Sequence, residues 1–416
     1  MSTSPDVLIV GAGIAGLSCG RHLADAGVCF EILEAADGIG GRVRTDQCEG
    51  FLLDRGFQVL LTAYPEAQRT LDYHALELRN FSPGAFSWFA GRMNRLVDPW
   101  RTPGGWREVL RSDFGTFLDK VRIERLRARL RHSSIGEIFA RPDVSARQAL
   151  KTIGFSDEFV HRFFRPFLAA IFLDGDLGFS SRMFEFVFKM MTEGDAAVPA
   201  RGMGEIPAQI ASHLPADSIR LGAHVEALHE NEVRLGSGEQ LRARAIVVAA
   251  DGPRAAHLVG EAEPASRSVT CFYYAADEPP LPHPMIVLNG DGAGPVNNFA
   301  AMSQVAPTYA PPGKSLVSVS VLGTQQLTVQ QLGGFITAQM KQWFGPVVSS
   351  WRYLKSYRIP HAQPQQSPGA LEPPERPVRI RPGVYLCGDH RDNASIQGAM
   401  VSGRRAAEAV LSDLGR

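Results

Sequence analysis

One stretch near the start of the chain restricts its fold more than any other: DVLIVGAGIAGLSCGRHLADAGVCFEILEAADGIGGRVRT, Asp6 to Thr45. Val7, Leu8, Ile9 and Val10 form a short apolar run with β-branched members, the pattern of a strand buried on both faces. Gly11, Gly13 and Gly16 follow in G-x-G-x-x-G spacing, with Ala12, Ile14 and Ala15 among them. The first glycine permits a tight turn, the second lets the backbone approach a pyrophosphate, and the third lets the next helix lie close to the strands. Ile14 to Ala26 suit a helix that Gly27 stops, and the N–H groups at its start would face the phosphates. A second strand, Val28 to Leu33, ends at Glu34, whose carboxylate can accept hydrogen bonds from ribose hydroxyls. The glycine spacing alone says little in a chain with 41 glycines. Strand, loop, helix, strand and acid in that order predict a dinucleotide fold rather than another glycine-rich turn. The loop by itself leaves nicotinamide and flavin dinucleotides equally open.

The 416 residues give room for two domains and a large core. Lys plus Arg and Asp plus Glu are both 43, so charge offers no argument for nucleic acid as a partner. The five cysteines (Cys19, Cys29, Cys48, Cys271 and Cys387) are scattered, odd in number and without a C-x-x-C pair. They indicate neither a disulfide framework nor a zinc site, and a reducing, cytoplasmic setting is expected. His132, His161 and His390 stand alone, without ligand spacing, so no metal is expected. Met1 to Pro5 is too short and polar for a signal peptide, and no apolar run reaches the length of a membrane span.

Along the chain, Leu71 to Met191 are rich in Phe and Arg with helical patterning, and at Pro199 to Leu214 a loop leads into a helix. Short strands split by turns at Gly222, Asn231 and Gly236 to Gly238 end in a buried strand, Ala245 to Ala250. Arg267 to Arg358 differ again, broken by PPLPHP and APPGK. Pro360 to Pro382, dense in proline, reads as a long loop crossing between domains. The last stretch, from GVYLCGDH onward, reads as strand, loop and helix. The expected fold is α/β: a Rossmann-like dinucleotide domain of residues 1–70, 199–266 and 375–416, interleaved with an α+β substrate domain of 71–198 and 267–374.

Together these pieces resemble the flavin-dependent amine oxidase, phytoene desaturase and protoporphyrinogen oxidase superfamily, end to end and in order. GIGGRVRT is similar to its second glycine motif, in which Gly40 and Gly41 allow close approach and Arg42 brings a guanidinium to the pyrophosphate. This pair of motifs implies FAD rather than a nicotinamide cofactor, with Ala35 following the ribose-binding Glu34. FLLDRGFQVLL resembles the stretch along the isoalloxazine and ribityl chain, implying Gly56, Phe57, Gln58 and Val59 as flavin neighbours. Val225 in AHVEAL matches the position whose backbone meets the adenine. YLCGDH…SIQGAMVSG resembles the C-terminal flavin motif. It implies Gly388 and Asp389 near the ribityl chain, and Ile396, Gln397, Gly398 and Ala399 opening a helix aimed at the flavin's pyrimidine edge. The positive end of that helix would stabilise a reduced, anionic flavin. Ala399, Gly403, Ala406, Ala407 and Val410 give the helix a small inner face.

Amine oxidases of this superfamily place an aromatic residue just before the final helix; here Ser395 stands there. S-x-x-G-A-x-x-S-G (Ser395 to Gly403) and SYRIPHAQP (Ser356 to Pro364) resemble the carotenoid desaturases more closely. No cysteine falls where covalently flavinylated members use one, which implies non-covalent FAD. Phe155, Phe159, Phe163, Phe164, Phe167, Phe172, Phe179, Phe184, Phe186 and Phe188 crowd one region, as either core or the wall of an apolar tunnel. DKVRIERLRARLRH is a basic helix, carrying either a membrane-surface contact or a solvated charged face. The resemblance implies hydride transfer from a largely apolar, isoprenoid-like or tetrapyrrole-like substrate to flavin N5, with oxygen or a quinone as electron acceptor. An amine oxidase with an altered cage remains open, as does a flavin-free escort of prenylated proteins, which the intact glycine and acidic set opposes. Arg55, His390 and Arg391 lie in or beside flavin motifs, but none is singled out as a base.

Overall fold

The run Val7–Val10 lies inside a six-stranded sheet in a computed structural model that describes residues 5–416. The strand order is Ile219–Arg220, Phe30–Leu33, Val7–Val10, Ala245–Val248, Val384–Leu386 and Arg379–Arg381. Its first five strands run parallel and the last antiparallel. Every residue of Val7–Val10 and Ala245–Val248 is buried, which is why both read as unbroken apolar runs instead of alternating ones. The helix Ile14–Asp25 follows the first strand, and Gly27, with φ +67°, ends it as expected. The last helix, Ile396–Leu414, packs along Ile14–Asp25 at short range. A Cβ on Gly403 would lie 2.2 Å from the Ala15 carbonyl oxygen, so only glycine permits this approach. Ala406, Ala407 and Val410 are buried behind it.

A second sheet of seven strands draws on both insertions, in the order Arg352–Pro364, Ser266–Ala276, Ser315–Leu322, Val296–Ala301, Ile286–Asn289, Gly84–Phe89, Arg92–Val97. Three of its strands differ from the sequence reading. Gly84–Phe89 and Arg92–Val97 form an antiparallel hairpin inside the stretch read as helical. Its two turn residues, Ala90 and Gly91, have φ of +52° and +70°, the twist that suits a two-residue hairpin, but without the Asn-Gly pair that would advertise it. The proline-dense stretch after Tyr357 is not loop from Pro360 onward, because Arg352–Pro364 is one strand. It lies at the sheet edge and pairs only with Ser266–Ala276, and Pro360 falls in a bulge where no ladder N–H is needed.

Between Gly105 and Glu193 the chain is helical. The basic helix Phe117–His132 is opened by a capping box: Thr116 Oγ1 accepts from the Asp119 N–H (3.2 Å), and Asp119 Oδ2 accepts from the Thr116 N–H (2.8 Å). Leu126 and Leu130 are buried, while Arg127 pairs with Asp98 (2.8 Å) and Arg129 with Glu185 (2.6 Å). Its apolar stripe is therefore spent on the protein interior. Among the described residues, no helix is long and apolar enough to cross a membrane.

Candidate cofactor and substrate cavity

Three glycines of the first loop are needed for three separate reasons. Gly11 has φ +108°, and a Cβ there would lie 2.8 Å from the Ala249 carbonyl oxygen on the neighbouring strand. A Cβ on Gly16 would lie 2.0 Å from the Gly11 carbonyl oxygen, so helix and strand could not close. A Cβ on Gly13 would meet nothing within 4 Å, because this residue faces a cavity. The second glycine motif lies alongside the first: the Gly40 N–H donates to the Ala12 carbonyl (2.8 Å), and Gly41 sits against Gly13. Glu34 ties the loop from below, its Oε2 accepting from the Ala12 N–H (2.7 Å) and its Oε1 from the Ala36 N–H (2.8 Å).

The cavity has a volume of about 1180 Å³ and runs without a break from this loop to the phenylalanine region. Gly11, Gly13, Ile14 and Ala15 border it, as do Glu34, Ala35, Gly40, Gly41, Arg42, Gly56, Phe57, Gln58 and Val59. Val225, Gly388, Asp389, Ile396 and Ala399 complete the set drawn from segments far apart in sequence. Ala12, Gly16, Gln397 and Gly398 do not reach it; they hold its wall from behind. Gln397 Oε1 accepts the Glu66 N–H (2.8 Å), and a Cβ on Gly398 would lie 1.9 Å from the Asn393 carbonyl oxygen.

These residues fit a flavin dinucleotide on several counts. Gln58 donates to the carbonyl of Arg42 (2.8 Å), but its Oε1 is buried without a partner. The Ser395 hydroxyl caps the last helix by accepting from the Gly398 N–H (3.1 Å). The N–H groups of Ile396, at the cavity border, and of Gln397, behind it, have no protein acceptor among the described residues, so the positive helix end is left unpaired where Ile396 meets the cavity. Arg42 bonds Asp389 (2.7 Å) and the Ala362 carbonyl (3.0 Å), which fixes its guanidinium at the border between the two glycine motifs and the last helix. None of the five cysteines borders the cavity.

The phenylalanine cluster divides evenly. Phe159, Phe163, Phe167, Phe172 and Phe188 face the cavity, whereas Phe155, Phe164, Phe179, Phe184 and Phe186 lie behind it in the core. Phe163 and Phe167 stack at 5.2 Å. Phe81 and Phe114, from connecting loops, extend the apolar wall; they sit outside the dense run and carried no signal.

Polar groups that sequence reasoning missed also border the cavity. Asp46 Oδ1 accepts from Arg55 (3.0 Å), and its Oδ2 accepts from Lys355 (2.7 Å) and the Tyr357 hydroxyl (2.8 Å). Burial works against the Asp46 charge, but these donors prevail and hold its pKa at about 2. No local pattern links Asp46 to a strand some three hundred residues later. Each remaining carboxylate in the outer chamber is likewise engaged: Asp98 by Arg127, Asp195 by Arg101, and Glu124 by the Trp100 indole N–H. Of Arg55, His390 and Arg391, only Arg55 borders the cavity. His390 is buried beside Gly388 and Gly252 with neither ring nitrogen bonded, and burial depresses its pKa to about 4. Arg391 turns to Glu261 (3.0 Å). Asp54, just behind the cavity, is raised to about 6 by burial, against hydrogen bonds from Thr45, Met203 and Tyr309. Among the described residues, no group of His, Cys, Asp and Glu could hold a metal ion.

Known proteins are similar to this chain in sequence and in fold. A 53-residue stretch is 47% identical to polyamine oxidase 2 of Arabidopsis thaliana, and covers 13% of this chain and 11% of that protein. Another, of 64 residues, is 41% identical to the chloroplastic/chromoplastic 15-cis-phytoene desaturase of an Oncidium hybrid, covering 15% and 11%. The matched stretches thus span about a tenth of these curated relatives. A crystal structure from an Exiguobacterium species, provisionally described as a protoporphyrinogen oxidase, superposes over 100% of both chains with a TM-score of 0.75 at 18% identity, a likeness of fold. The sequence profile of the flavin containing amine oxidoreductases matches residues 14–411. By that match over nearly its whole length, the chain belongs to the flavin-containing amine oxidoreductase family, with FAD as its cofactor.

Proposed function

We propose that the chain is an FAD-dependent oxidoreductase that removes hydride from carbon in a largely apolar substrate of isoprenoid-like or tetrapyrrole-like character. One observation carries the reading: a single cavity joins the glycine loops to a chamber walled by Phe159, Phe163, Phe167, Phe172 and Phe188. Bound FAD supplies the hydride acceptor, and oxygen or a quinone takes the electrons onward. The chain's residues do the rest. Gly11, Gly13, Gly40 and Gly41 bring backbone close to the pyrophosphate, Arg42 adds positive charge, and Glu34 accepts from the ribose. The free N–H groups of Ile396 and Gln397 favour negative charge at the nearby ring edge. The phenylalanines exclude water and orient the apolar substrate. We assign residues 1–70, 199–266 and 375–416 to cofactor binding and the two insertions to substrate binding.

The chemistry of the chamber disfavours an amine. An ammonium group is best held by a carboxylate free to pair with it, and Asp46, Asp98 and Asp195 each already hold a cation. Ser395 stands where the cage aromatic would be, and Glu124 is bonded to an indole, with burial pushing its pKa up from the ordinary value. The test is anaerobic reduction of the purified yellow protein. Flavin absorbance is expected to bleach with carotenoid precursors or porphyrinogens and to persist with putrescine or spermidine. Bleaching by the amines alone overturns the apolar reading, and a colourless protein that takes up no FAD overturns the enzyme reading.

A further inference from the structure

Five of the large apolar side chains exposed among the described residues fall within nineteen positions: Trp100 at 61%, Trp106 at 38%, Leu110 at 55%, Phe117 at 65% and Leu118 at 58%. The two helices that carry four of them are joined where Lys120 donates to the Leu110 carbonyl (3.3 Å). Trp100 and Trp106 meet edge to face at 5.2 Å, and Arg127 lies 5.7 Å over the Trp100 ring. Trp106 and Leu110 are one helical turn apart on Gly105–Arg111, with Val109 buried beside Trp106. Phe117 and Leu118 open the basic helix Phe117–His132. Large aromatic and aliphatic groups left in water on two successive helices imply a partner that covers them.

Charge identifies the partner. Residues 92–132 contain eleven Lys and Arg against five Asp and Glu, in a chain whose totals balance at 43 each. Three of those acids, Asp98, Glu108 and Asp113, are matched by Arg127, Arg95 and Arg92. Arg107 and Arg111, on the same short helix as Trp106 and Leu110, are exposed and have no acidic partner among the described residues. The cavity reaches the same place: Trp106, Val109, Lys120 and Ile123 border its outer end. An apolar patch rimmed by arginine, at the outer end of an apolar cavity, matches the chemistry of an anionic bilayer, with tryptophans at headgroup depth.

We propose that Trp100, Trp106, Leu110, Phe117 and Leu118 form a docking face that seats the enzyme on anionic phospholipid, with Arg107 and Arg111 among the headgroups, so that substrate enters the cavity from the bilayer. This rests on the apolar-substrate reading for what passes through, but the docking stands or falls independently. It also moves the contact away from the apolar stripe of the basic helix, whose Leu126 and Leu130 are buried.

The experiment is flotation of the FAD-loaded protein with vesicles of phosphatidylglycerol and phosphatidylcholine, and with phosphatidylcholine alone. The unaltered protein is expected to float with the anionic vesicles and to be released by salt. Leu110→Ser/Phe117→Ser/Leu118→Ser, none of which borders the cavity, is expected to bind about a hundredfold more weakly. Arg107→Gln/Arg111→Gln is expected to lose about fivefold per arginine. Unchanged melting temperature and flavin spectrum show that both variants fold. Failure of the unaltered protein to float, or flotation that both variants retain, overturns the proposal. So does a dimer of the unaltered protein that the triple variant dissolves without vesicles, because the face would then join two copies. Bleaching by amines alone with flotation intact refutes the substrate and leaves the docking face standing.

Discussion

The two ends of the cavity are walled by different parts of the polypeptide. At the cofactor end, backbone forms the surface: Gly11, Gly13, Gly40 and Gly41 present main chain, and the last helix presents its N–H groups. At the end proposed for the substrate, side chains form it: phenylalanines from several helices meet Phe81, which lies between two strands. A backbone wall tolerates little change in residue type: a Cβ on Gly11 or Gly40 would strike a neighbouring carbonyl oxygen, and one on Gly13 would stand in the cavity itself. A side-chain wall needs only apolar volume, so its residues are interchangeable within limits and its shape sets specificity.

The sharpest way to break this contrast is to add one methyl group at two positions of the same loop. Gly16→Ala places a Cβ 2.0 Å from the Gly11 carbonyl oxygen, backbone against backbone, and is expected to cost about 3 kcal/mol or more and to yield little folded protein. Gly13 has φ −74° and ψ 178°, which alanine adopts freely, and its Cβ would project into open cavity. Gly13→Ala is therefore expected to fold with an unchanged urea midpoint and to lose FAD, read as the ratio of flavin to protein absorbance. Equal behaviour of the two variants would show that the loop is not divided into packing and cofactor glycines.

At the substrate end the matched pair is Phe164→Ala and Phe167→Ala. Phe164 is fully buried, with Phe155 and Phe159 at 4.8 and 5.3 Å, and its truncation is expected to cost about 3–5 kcal/mol. Phe167 is partly exposed to the cavity and is expected to cost about 1 kcal/mol, with its main effect on KM for the reducing substrate. Urea melts and steady-state kinetics on both variants test this. A stability loss at Phe167 as large as that at Phe164 would make the chamber wall part of the core.

His390 tests whether the cofactor end contains a stability cost. Burial holds its pKa at about 4, against an ordinary value of 6.5. Between those pH values the unfolded chain takes up a proton that the folded chain does not, so stability falls as pH is lowered through this window and levels off below it. The depression corresponds to about 3 kcal/mol at low pH. Asp54, raised to about 6, acts in the opposite sense over the same range, so the readout is the difference between proteins. His390→Leu is expected to remove most of the loss between pH 7 and pH 4.5 in urea melts. An unaltered pH slope would mean that His390 is hydrated.

The same contrast explains how much of the molecule could be read in advance. Val7–Val10, the Gly27 stop and the small inner face that carries Gly403 on the last helix were legible because backbone geometry imposes residue type at fixed local spacing; that Gly403 meets Ala15 was not. The hairpin Gly84–Phe89 with Arg92–Val97 was not, because Ala90-Gly91 carries only half of the usual turn signature. Nor was Arg352–Pro364, whose prolines are tolerated only because the strand is at an edge. The phenylalanine run announced an apolar region, but which five rings face the cavity depends on helix orientation, and Asp46 with Lys355 meets only in the folded chain.

Glu34 is where the contrast is most exposed to failure, because here a side chain serves the backbone end. Its two oxygens already accept the N–H groups of Ala12 and Ala36, at 2.7 and 2.8 Å, and each keeps a lone pair that a ribose hydroxyl can use. Glu34→Gln retains the shape and one oxygen, but turns an amide N–H₂ toward one of those backbone donors. The loop would lose one charge-assisted bond, and the ribose one acceptor, about 1–2 kcal/mol in all. FAD affinity measured by fluorescence titration is expected to fall about tenfold, with the folded state only slightly less stable. That is a smaller effect than the methyl group at Gly13, because in the proposed placement the phosphates would keep their contact with backbone. If Glu34→Gln strips the protein of FAD as thoroughly as Gly13→Ala does, the cofactor is held by this carboxylate more than by the main chain, and the two ends of the cavity are built alike.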